Sequence, residues 1–335
     1  MRKVWLASLV GLALSGYGCS ATQGQNQFGE GGSGSSLDTG SGGEGGDTLA
    51  GVGGSGFSTG TDGFSTTTGG GSNCSEAAKL IYVLSTDNDL YSFNPLQKAF
   101  KKIGPLGCKT GMSPNSMAVD RNAVAYVNYV ESDQVFGGDT DGAVFKVSTV
   151  DASCESTKIN LGAGWLRLGM GFSTDAAQGT SEQLFITGTG DPGGGSSPGL
   201  GRIDLMTNKV VPVGQFNGAL TGQNAELTGT GDARLFGFFT TSPVQVAEIS
   251  KTSGAIVNTA KLPKVETPSA WAFSFWGGDF YLYTAPDPST NPGRTSNVSK
   301  YSPKAGITDP GYMTNIGFTI VGAGVSTCAP VEPPK

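Results

Sequence analysis

Residues 79–103 read KLIYVLSTDNDLYSFNPLQKAFKKI. Two apolar segments flank the polar turn 85–89, and a third apolar segment begins near Phe100. Short apolar runs rich in β-branched and aromatic residues, separated by Asp and Asn turns, are typical of consecutive β-strands. The stretch therefore predicts three antiparallel strands, and the rest of the chain repeats their pattern.

The repeat is defined by the spacing of Leu90, Phe93 and Phe100, with a small polar residue after Phe93. The residues that recur at the position of Phe93 are Phe93, Val147, Ile203, Ile249 and Tyr301, and they lie 46–56 residues apart. Two more strands precede this pattern in most copies, so each unit has four strands, named a to d here. Units of this length favour the blades of a β-propeller over helical repeats. No long stretch has a helical period, so we expect almost no helix.

The first unit lacks its own strand a, because Cys74 follows directly on a Gly-rich segment. The last apolar segment, Phe318–Val325, has no other partner in the chain. We therefore expect it to supply the missing strand, which closes the ring without an open sheet edge. The sequence predicts an all-β propeller of five four-stranded blades, or six if one of the longer units contains two.

The first 19 residues have the form of an export signal. Arg2 and Lys3 precede the apolar run 4–14, which is too short for a transmembrane helix. The run ends at Cys19, in a context similar to a bacterial lipobox, although Gly16 and Tyr17 depart from that pattern. The alternative is an ordinary secretory signal. The chain resembles bacterial exported lipoproteins with β-propeller repeats, and Ser20 after the cysteine implies an outer-membrane lipoprotein of the cell envelope.

Residues 20–73 contain 19 of the 55 glycines, five acids and no Lys or Arg. Such a composition buries too little apolar surface to fold, so it predicts a disordered linker. The linker is either a tether of selected length or a spacer without one. Residues 74–335 form the predicted propeller domain. Removing the charges of signal and linker from the net −6 leaves −3 on this domain, which argues against nucleic acid as a partner.

Four cysteines remain after Cys19, and in an exported chain they predict two disulfides. Cys328 ends the closing strand a and Cys74 leads into strand b of the same blade, so we expect these two to pair. Cys108 follows strand d of the first blade and Cys154 opens strand d of the second, so they are expected to pair between neighbouring blades.

The chain has no histidine, which excludes His-dependent nucleophilic catalysis and His-ligated zinc or copper. The motif at Gly188, Gly190 and Gly193 matches a dinucleotide fingerprint, but it continues into a loop instead of a helix, so it predicts a hairpin. Two acidic segments are weak calcium candidates: Asp87 and Asp89, and Asp139 and Asp141. Because hairpin turns favour the same residues, turn formation is the preferred interpretation and no cofactor is predicted.

Candidate ligand-binding residues follow from the architecture. In propellers strand a lines the central channel, and ligands generally bind where the d–a connections open. The residues that enter strand a in this chain are Asn115, Ser116, Trp165, Arg167, Asn224, Glu226 and Trp271. Trp faces beside amides, an Arg and a carboxyl are suited to a carbohydrate or a peptide. The alternative is that each Trp packs between blades.

Three functions remain open, and one of them is a component of a protein assembly. The favoured one is a surface-anchored, non-catalytic binding or scaffold propeller, tethered to a membrane by its N-terminal lipid, with an extracellular glycan or protein as ligand. The alternative is a carbohydrate-active enzyme, which generally needs two carboxyl groups roughly 5–10 Å apart. Only Glu226 is expected in the channel. Asp120, Asp175 and Asp279 are expected near a–b turns on the opposite side.

Overall fold

The computed structural model describes residues 74–132, 138–189 and 196–334. The predicted signal, Cys19 and the linker lie outside the described residues, as do Gly190 and Gly193 of the glycine motif. Helix in the described part is confined to two single-turn 3₁₀ segments, Ala77–Lys79 and Gly218–Leu220. No helix in this part is long and apolar enough to span a membrane.

The described residues contain twenty β-strands. In chain order they are β1 Ile81–Ser85, β2 Asp89–Asn94, β3 Ala99–Pro105, β4 Ser113–Val119, β5 Val124–Ser132, β6 Asp139–Ser148, β7 Cys154–Ser156, β8 Leu168–Thr174, β9 Glu182–Gly188, β10 Leu200–Asp204, β11 Lys209–Gly214, β12 Ala225–Gly229, β13 Leu235–Phe239, β14 Gln245–Ile249, β15 Ile256–Lys261, β16 Ala270–Trp276, β17 Asp279–Ala285, β18 Asn297–Ser302, β19 Ile307–Met313 and β20 Ile320–Val325.

These strands form five antiparallel sheets of four. Four sheets are made from consecutive strands, β4–β7, β8–β11, β12–β15 and β16–β19, and the fifth has the order β20-β1-β2-β3. The innermost strands β20, β4, β8, β12 and β16 contact one another around a central channel. The predicted five-bladed propeller is confirmed, and six blades are excluded for the described chain.

The C-terminal strand closes the ring as the sequence predicted. Ile81 of β1 pairs with Val325 of β20, and Val83 pairs with Ala323. Cys74 and Cys328 form a disulfide across this seam, with their Cα atoms 5.8 Å apart. The first blade therefore contains the first and the last strand of the described chain and leaves no open strand edge at the seam.

The second disulfide joins Cys108 to Cys154, with a Cα–Cα distance of 4.9 Å. Cys108 follows the outer strand β3 of the first blade, and Cys154 begins the outer strand β7 of the second. This bond links neighbouring blades at their outer edges, which is the pairing expected from the repeat.

Burial changes from the channel to the outside of each blade. The inner strands β8 and β12 are buried along their whole length, whereas the outer strand β3 is mainly exposed or half-buried. Because inner strands face a neighbouring blade on each side, their sequences are nearly continuous apolar runs. The core consists of the layers between adjacent blades.

Glycines in the inner strands allow a narrow ring. A Cβ on Gly169 of β8 would lie 1.9 Å from the carbonyl oxygen of Ala225 in β12. A Cβ on Gly229 of β12 would lie 2.0 Å from the carbonyl oxygen of Phe172 in β8. Only glycine permits backbones to approach this closely. The inner strands of the third and fourth blades are therefore in direct backbone contact.

The direction of the inner strands defines two faces of the propeller. We call the face where the inner strands begin the mouth face, and the face where they end the far face. Because the strands alternate in direction, the d–a and b–c connections lie on the mouth face. The a–b and c–d connections lie on the far face.

The C-terminal segment, residues 326–334, covers the channel on the far face. Thr327 is buried, donates a 2.6 Å hydrogen bond to Glu182 of β9 and accepts one from Arg121 after β4. Its backbone carbonyl lies against Gly231 after β12. Further along, the carbonyl of Pro330 accepts a hydrogen bond from Gly277 after β16. The segment thus contacts the a–b turns of four blades and closes this end of the channel.

Candidate functional site

All five inner strands contribute to one cavity on the mouth face. The cavity has a volume of about 120 Å³. Its lining includes one residue from the start of each inner strand: Asn115, Leu168, Ala225, Ala270 and Val321. In the described part of the chain, the C-terminal segment covers the opposite end, and this cavity lies at the mouth end.

Glu226 is the carboxyl group of this cavity. Its side chain is 5 % exposed although it lies on β12 at the channel. The carboxyl accepts a 2.8 Å hydrogen bond from the Ser116 hydroxyl on β4 and one from the backbone N–H of Met170 on β8. One side chain therefore links three inner strands across the channel.

Burial raises the pKa of Glu226 well above its ordinary value. The hydrogen bonds from Ser116 and Met170 and the charge of Arg167 oppose this shift but are weaker than the desolvation. The carboxyl thus holds its proton to a higher pH than an exposed glutamate does. A protonated carboxyl both donates and accepts hydrogen bonds, which suits a neutral polar ligand.

Arg167 is held rigidly at the mouth by its neighbours. It makes a bidentate ion pair with Asp139, at 2.7 and 2.9 Å, and donates to the Ser132 hydroxyl at 3.1 Å. A third nitrogen donates to the Asn115 side-chain oxygen at 2.8 Å. Bidentate pairs fix the guanidinium plane. Arg167 is thereby oriented toward the cavity before any ligand is present.

Asn128 supports this network from below, and the sequence reasoning did not select it. It lies on β5 and is fully buried. Its side-chain oxygen accepts hydrogen bonds from Asn115 at 2.9 Å and from the backbone N–H of Leu168 at 3.0 Å. A single amide inside the apolar run of β5 was the signal that would have identified it, since a buried amide needs several partners.

Trp271 and Asn224 complete the mouth. Trp271 is half-buried at the start of β16, where it packs on the core between the fourth and fifth blades and lines the cavity. Asn224 is exposed beside it, immediately before β12. Together they provide a flat apolar surface and an amide at the mouth.

Two of the predicted residues do not line the cavity. Ser116 lies beneath it, fully buried and bonded to Glu226. Trp165 is 7 % exposed and belongs to the core between the second and third blades. A Cβ on Gly201 would lie 2.7 Å from the Trp165 ring, so the indole occupies space that this glycine leaves free. Trp165 therefore packs between blades, which is the alternative to ligand binding that the sequence left open.

The acidic segments have other contacts. Asp89 of β2 forms an ion pair with Lys102 of β3 in the same blade, and Asp139 of the second blade forms one with Arg167, which precedes β8 of the third. Asp139 and Asp141 lie inside β6 instead of in the b–c turn where the sequence placed them. The described residues contain no cluster of three or more His, Cys, Asp or Glu side chains. The two pairs, Asp87 with Asp89 and Asp139 with Asp141, are therefore not part of a larger group of this kind in the described residues.

The carboxyl groups have the distribution that the sequence predicted. In the described residues, Glu226 is the only carboxyl that lines the cavity. Asp120 and Asp175 follow the far ends of β4 and β8, and Asp279 begins β17 on that same face.

Comparison with known proteins gives only distant structural similarities. No family model and no curated protein matches this sequence. A protein of unknown function from Bacteroides caccae is 10 % identical, with a TM-score of 0.36, and the match covers 73 % of this chain and 97 % of that protein. A gluconolactonase from Xanthomonas campestris is 13 % identical, with a TM-score of 0.38, over 61 % of this chain and 68 % of that protein.

Proposed function

We propose that this protein is a surface-anchored, non-catalytic binding module whose channel mouth holds a carbohydrate. The observation that carries the proposal is the convergence of five inner strands on one cavity lined by Trp271, Arg167, Asn115, Asn224 and Glu226. These groups combine a flat apolar surface with fixed donors and a buried carboxyl. A few well-placed polar groups around an apolar surface are typical of a small-molecule site.

The size and shape of the cavity limit the ligand. Its volume of about 120 Å³ is below the roughly 300–1,000 Å³ of pockets for drug-sized ligands. The C-terminal segment also prevents a polymer from passing through the channel. We therefore infer that the mouth binds the end of a glycan chain or a single projecting sugar unit.

The position of the chain's attachment supports anchoring at a surface. Cys74, the first described residue, is bonded to Cys328 on the far face. Residues 1–73 therefore join the propeller opposite the mouth. If Cys19 carries a lipid on the outer membrane of the cell envelope, as the signal sequence indicates, the mouth is free to face away from that membrane.

The proposal is tested by thermal unfolding of residues 20–335 with a panel of oligosaccharides. A ligand at a hundred times its Kd adds about 2.7 kcal/mol to the free energy of unfolding and raises the midpoint. We expect such a shift with a glycan, and its loss in Trp271→Ala. Lys304→Ala, an exposed far-face change, is the matched control and should keep the shift.

Three results would point elsewhere. A panel without any shift, or a shift that Trp271→Ala retains, contradicts a glycan site at the mouth. Release of a new reducing end or an unsaturated product would favour the carbohydrate-active enzyme. A protein that stays bound in high salt would favour the scaffold function with a protein partner.

A further inference from the structure

Every large apolar side chain that the described residues expose lies at or beside a c–d connection. Each blade has at least one: Leu96 at 57 % exposure, Val150 at 83 %, Leu205 at 39 % and Met206 at 94 %, Val257 at 56 % and Ile307 at 62 %. We call this set the apolar rim. Single exposed apolar residues are common on proteins. Six that lie at or beside the same connection in all five blades, with none elsewhere in the described part, form a pattern.

The apolar rim lies on the far face. Strand c runs in the same direction as the inner strand of its blade, so its end lies beside the closed end of the channel. Contacts agree with this geometry. Lys251 in the c–d connection of the fourth blade donates a hydrogen bond to the carbonyl of Thr174 at the end of β8. The hydroxyl of Thr149, which follows strand c in the second blade, donates a hydrogen bond to the carbonyl of Ala123 in the a–b turn.

The charges around the rim fit a polar–apolar boundary. Lysines occupy or adjoin the c–d connections of four blades: Lys98, Lys209, Lys251 and Lys304. Asp151 and Asp204 lie in the same region. Long lysine side chains beside apolar groups place carbon in an apolar layer and the ammonium in a polar one. The mixed charge indicates that apolar contact, more than net charge, would drive association.

We propose that the far face rests on the surface of a lipid bilayer, with the apolar rim inserted among the headgroups. This inference rests on the proposed anchoring, because residues 1–73, with the lipobox-like Cys19, join the propeller on this same face at Cys74. A tether holds the face near the bilayer at high effective concentration, so shallow insertion of a few side chains is sufficient. The mouth then points away from the membrane.

The test places an environment-sensitive fluorophore on a single introduced cysteine. Residues 20–335 retain every described strand and have no free cysteine once the two disulfides are formed. Met206→Cys and Val150→Cys report on the rim, and Asn224→Cys at the mouth is the matched exposed control. An N-terminal histidine tag on zwitterionic vesicles with a nickel-chelating lipid replaces the natural anchor.

We expect a blue shift and increased emission at positions 206 and 150 on vesicles, and neither at position 224. No change at the rim, or an equal change at all three positions, overturns the proposal. So does a rim change that appears without vesicles as protein concentration rises, since this would assign the rim to a second copy. Because the tag supplies the anchor, failure of Cys19 acylation or of glycan binding leaves this result unaffected.

Discussion

Glu226 shows how one residue determines the chemistry of the mouth. It is a buried carboxyl that bonds to Ser116 and Met170 on two other blades. In the unfolded chain a glutamate titrates near its ordinary pKa of about 4.3. In the fold, burial raises the pKa of Glu226 well above that value. Between these two pKa values the unfolded chain releases a proton that the folded chain keeps.

The free energy of unfolding is therefore predicted to fall as pH rises through this window. The contribution is complete below about pH 4.3 and is lost as pH passes the folded pKa, at about 1.4 kcal/mol for each pKa unit of separation. Glu226→Gln removes this ionisation and therefore this loss. The free energy of unfolding of the variant minus that of the parent should thus be more positive at pH 8 than at pH 4. Urea unfolding at both pH values measures it.

The hydrogen bond from Ser116 provides a second arm of this test. Because that bond lowers the pKa of Glu226, Ser116→Ala should raise this pKa further and extend the decline of stability to higher pH. The raised pKa of Glu226 would be contradicted if Glu226→Gln showed the same decline as the parent, or if the decline in Ser116→Ala extended no further in pH than in the parent.

Two tryptophans with similar positions in the sequence have different roles. Trp165→Ala should lower the free energy of unfolding by about 3–5 kcal/mol, because it empties a site in the core between blades. Trp271 is half-buried, so Trp271→Ala should cost less stability but remove glycan binding. Denaturant unfolding and the ligand-induced midpoint shift separate the two effects. A loss of binding in Trp165→Ala alone would reverse this assignment.

Sequence reasoning could place both tryptophans before an inner strand but could not separate them. A tryptophan at this position is buried between blades if the neighbouring strand leaves space for its ring. Gly201 leaves that space for Trp165. Asn128 was missed for a related reason: its partners, Asn115 and Leu168, lie 13 and 40 residues away in the chain. The contact with Asn115 joins two strands of one blade and that with Leu168 joins two blades, and neither follows from the local sequence pattern.

At the scale of elements, close approach of the inner strands limits substitution. Gly169→Ala should be strongly destabilising, by about 1–3 kcal/mol or more, because its Cβ would overlap the Ala225 carbonyl oxygen of the next blade. Gly162→Ala is the matched control, since a Cβ there meets nothing within 4 Å. Thermal unfolding should separate the two variants, and equal midpoints would contradict the close packing of β8 on β12.

Most strands could be predicted because each blade repeats the same alternation and the same turn residues. The closing strand could be predicted by counting strands, because the first unit lacked one and Phe318–Val325 had no partner. The role of residues 326–334 could not be predicted. Their fixed position depends on the a–b turns of several blades, which are brought together only when the ring closes.

At the scale of the whole molecule, the two disulfides are predicted to contribute unequally. The Cys74–Cys328 bond spans 254 residues and the Cys108–Cys154 bond spans 46. In the chain-entropy description the longer loop adds about 1.5 kcal/mol more to the free energy of unfolding. Paired Cys→Ser variants and urea unfolding measure this difference. A larger loss of unfolding free energy from removing the Cys108–Cys154 bond than from removing the Cys74–Cys328 bond would contradict this prediction.

The molecule has one open end and one closed end, and the chain is attached at the closed end. Cys74 and the C-terminal segment both lie on the far face, while Trp271, Arg167 and Glu226 lie at the mouth. This polarity assigns ligand contact to one face and attachment to the other. The proposed function therefore depends above all on ligand binding at the mouth.

The most direct measurement is tryptophan fluorescence of residues 20–335 during titration with oligosaccharides, with acrylamide as quencher. Trp271 is half-buried, whereas Trp165 and Trp276 are buried, so Trp271 should supply the quenchable fraction. We predict that a glycan protects this fraction in a saturable manner and that Trp271→Phe abolishes the signal. Protection that persists in Trp271→Phe, or its absence with every glycan, would contradict a carbohydrate site at the channel mouth.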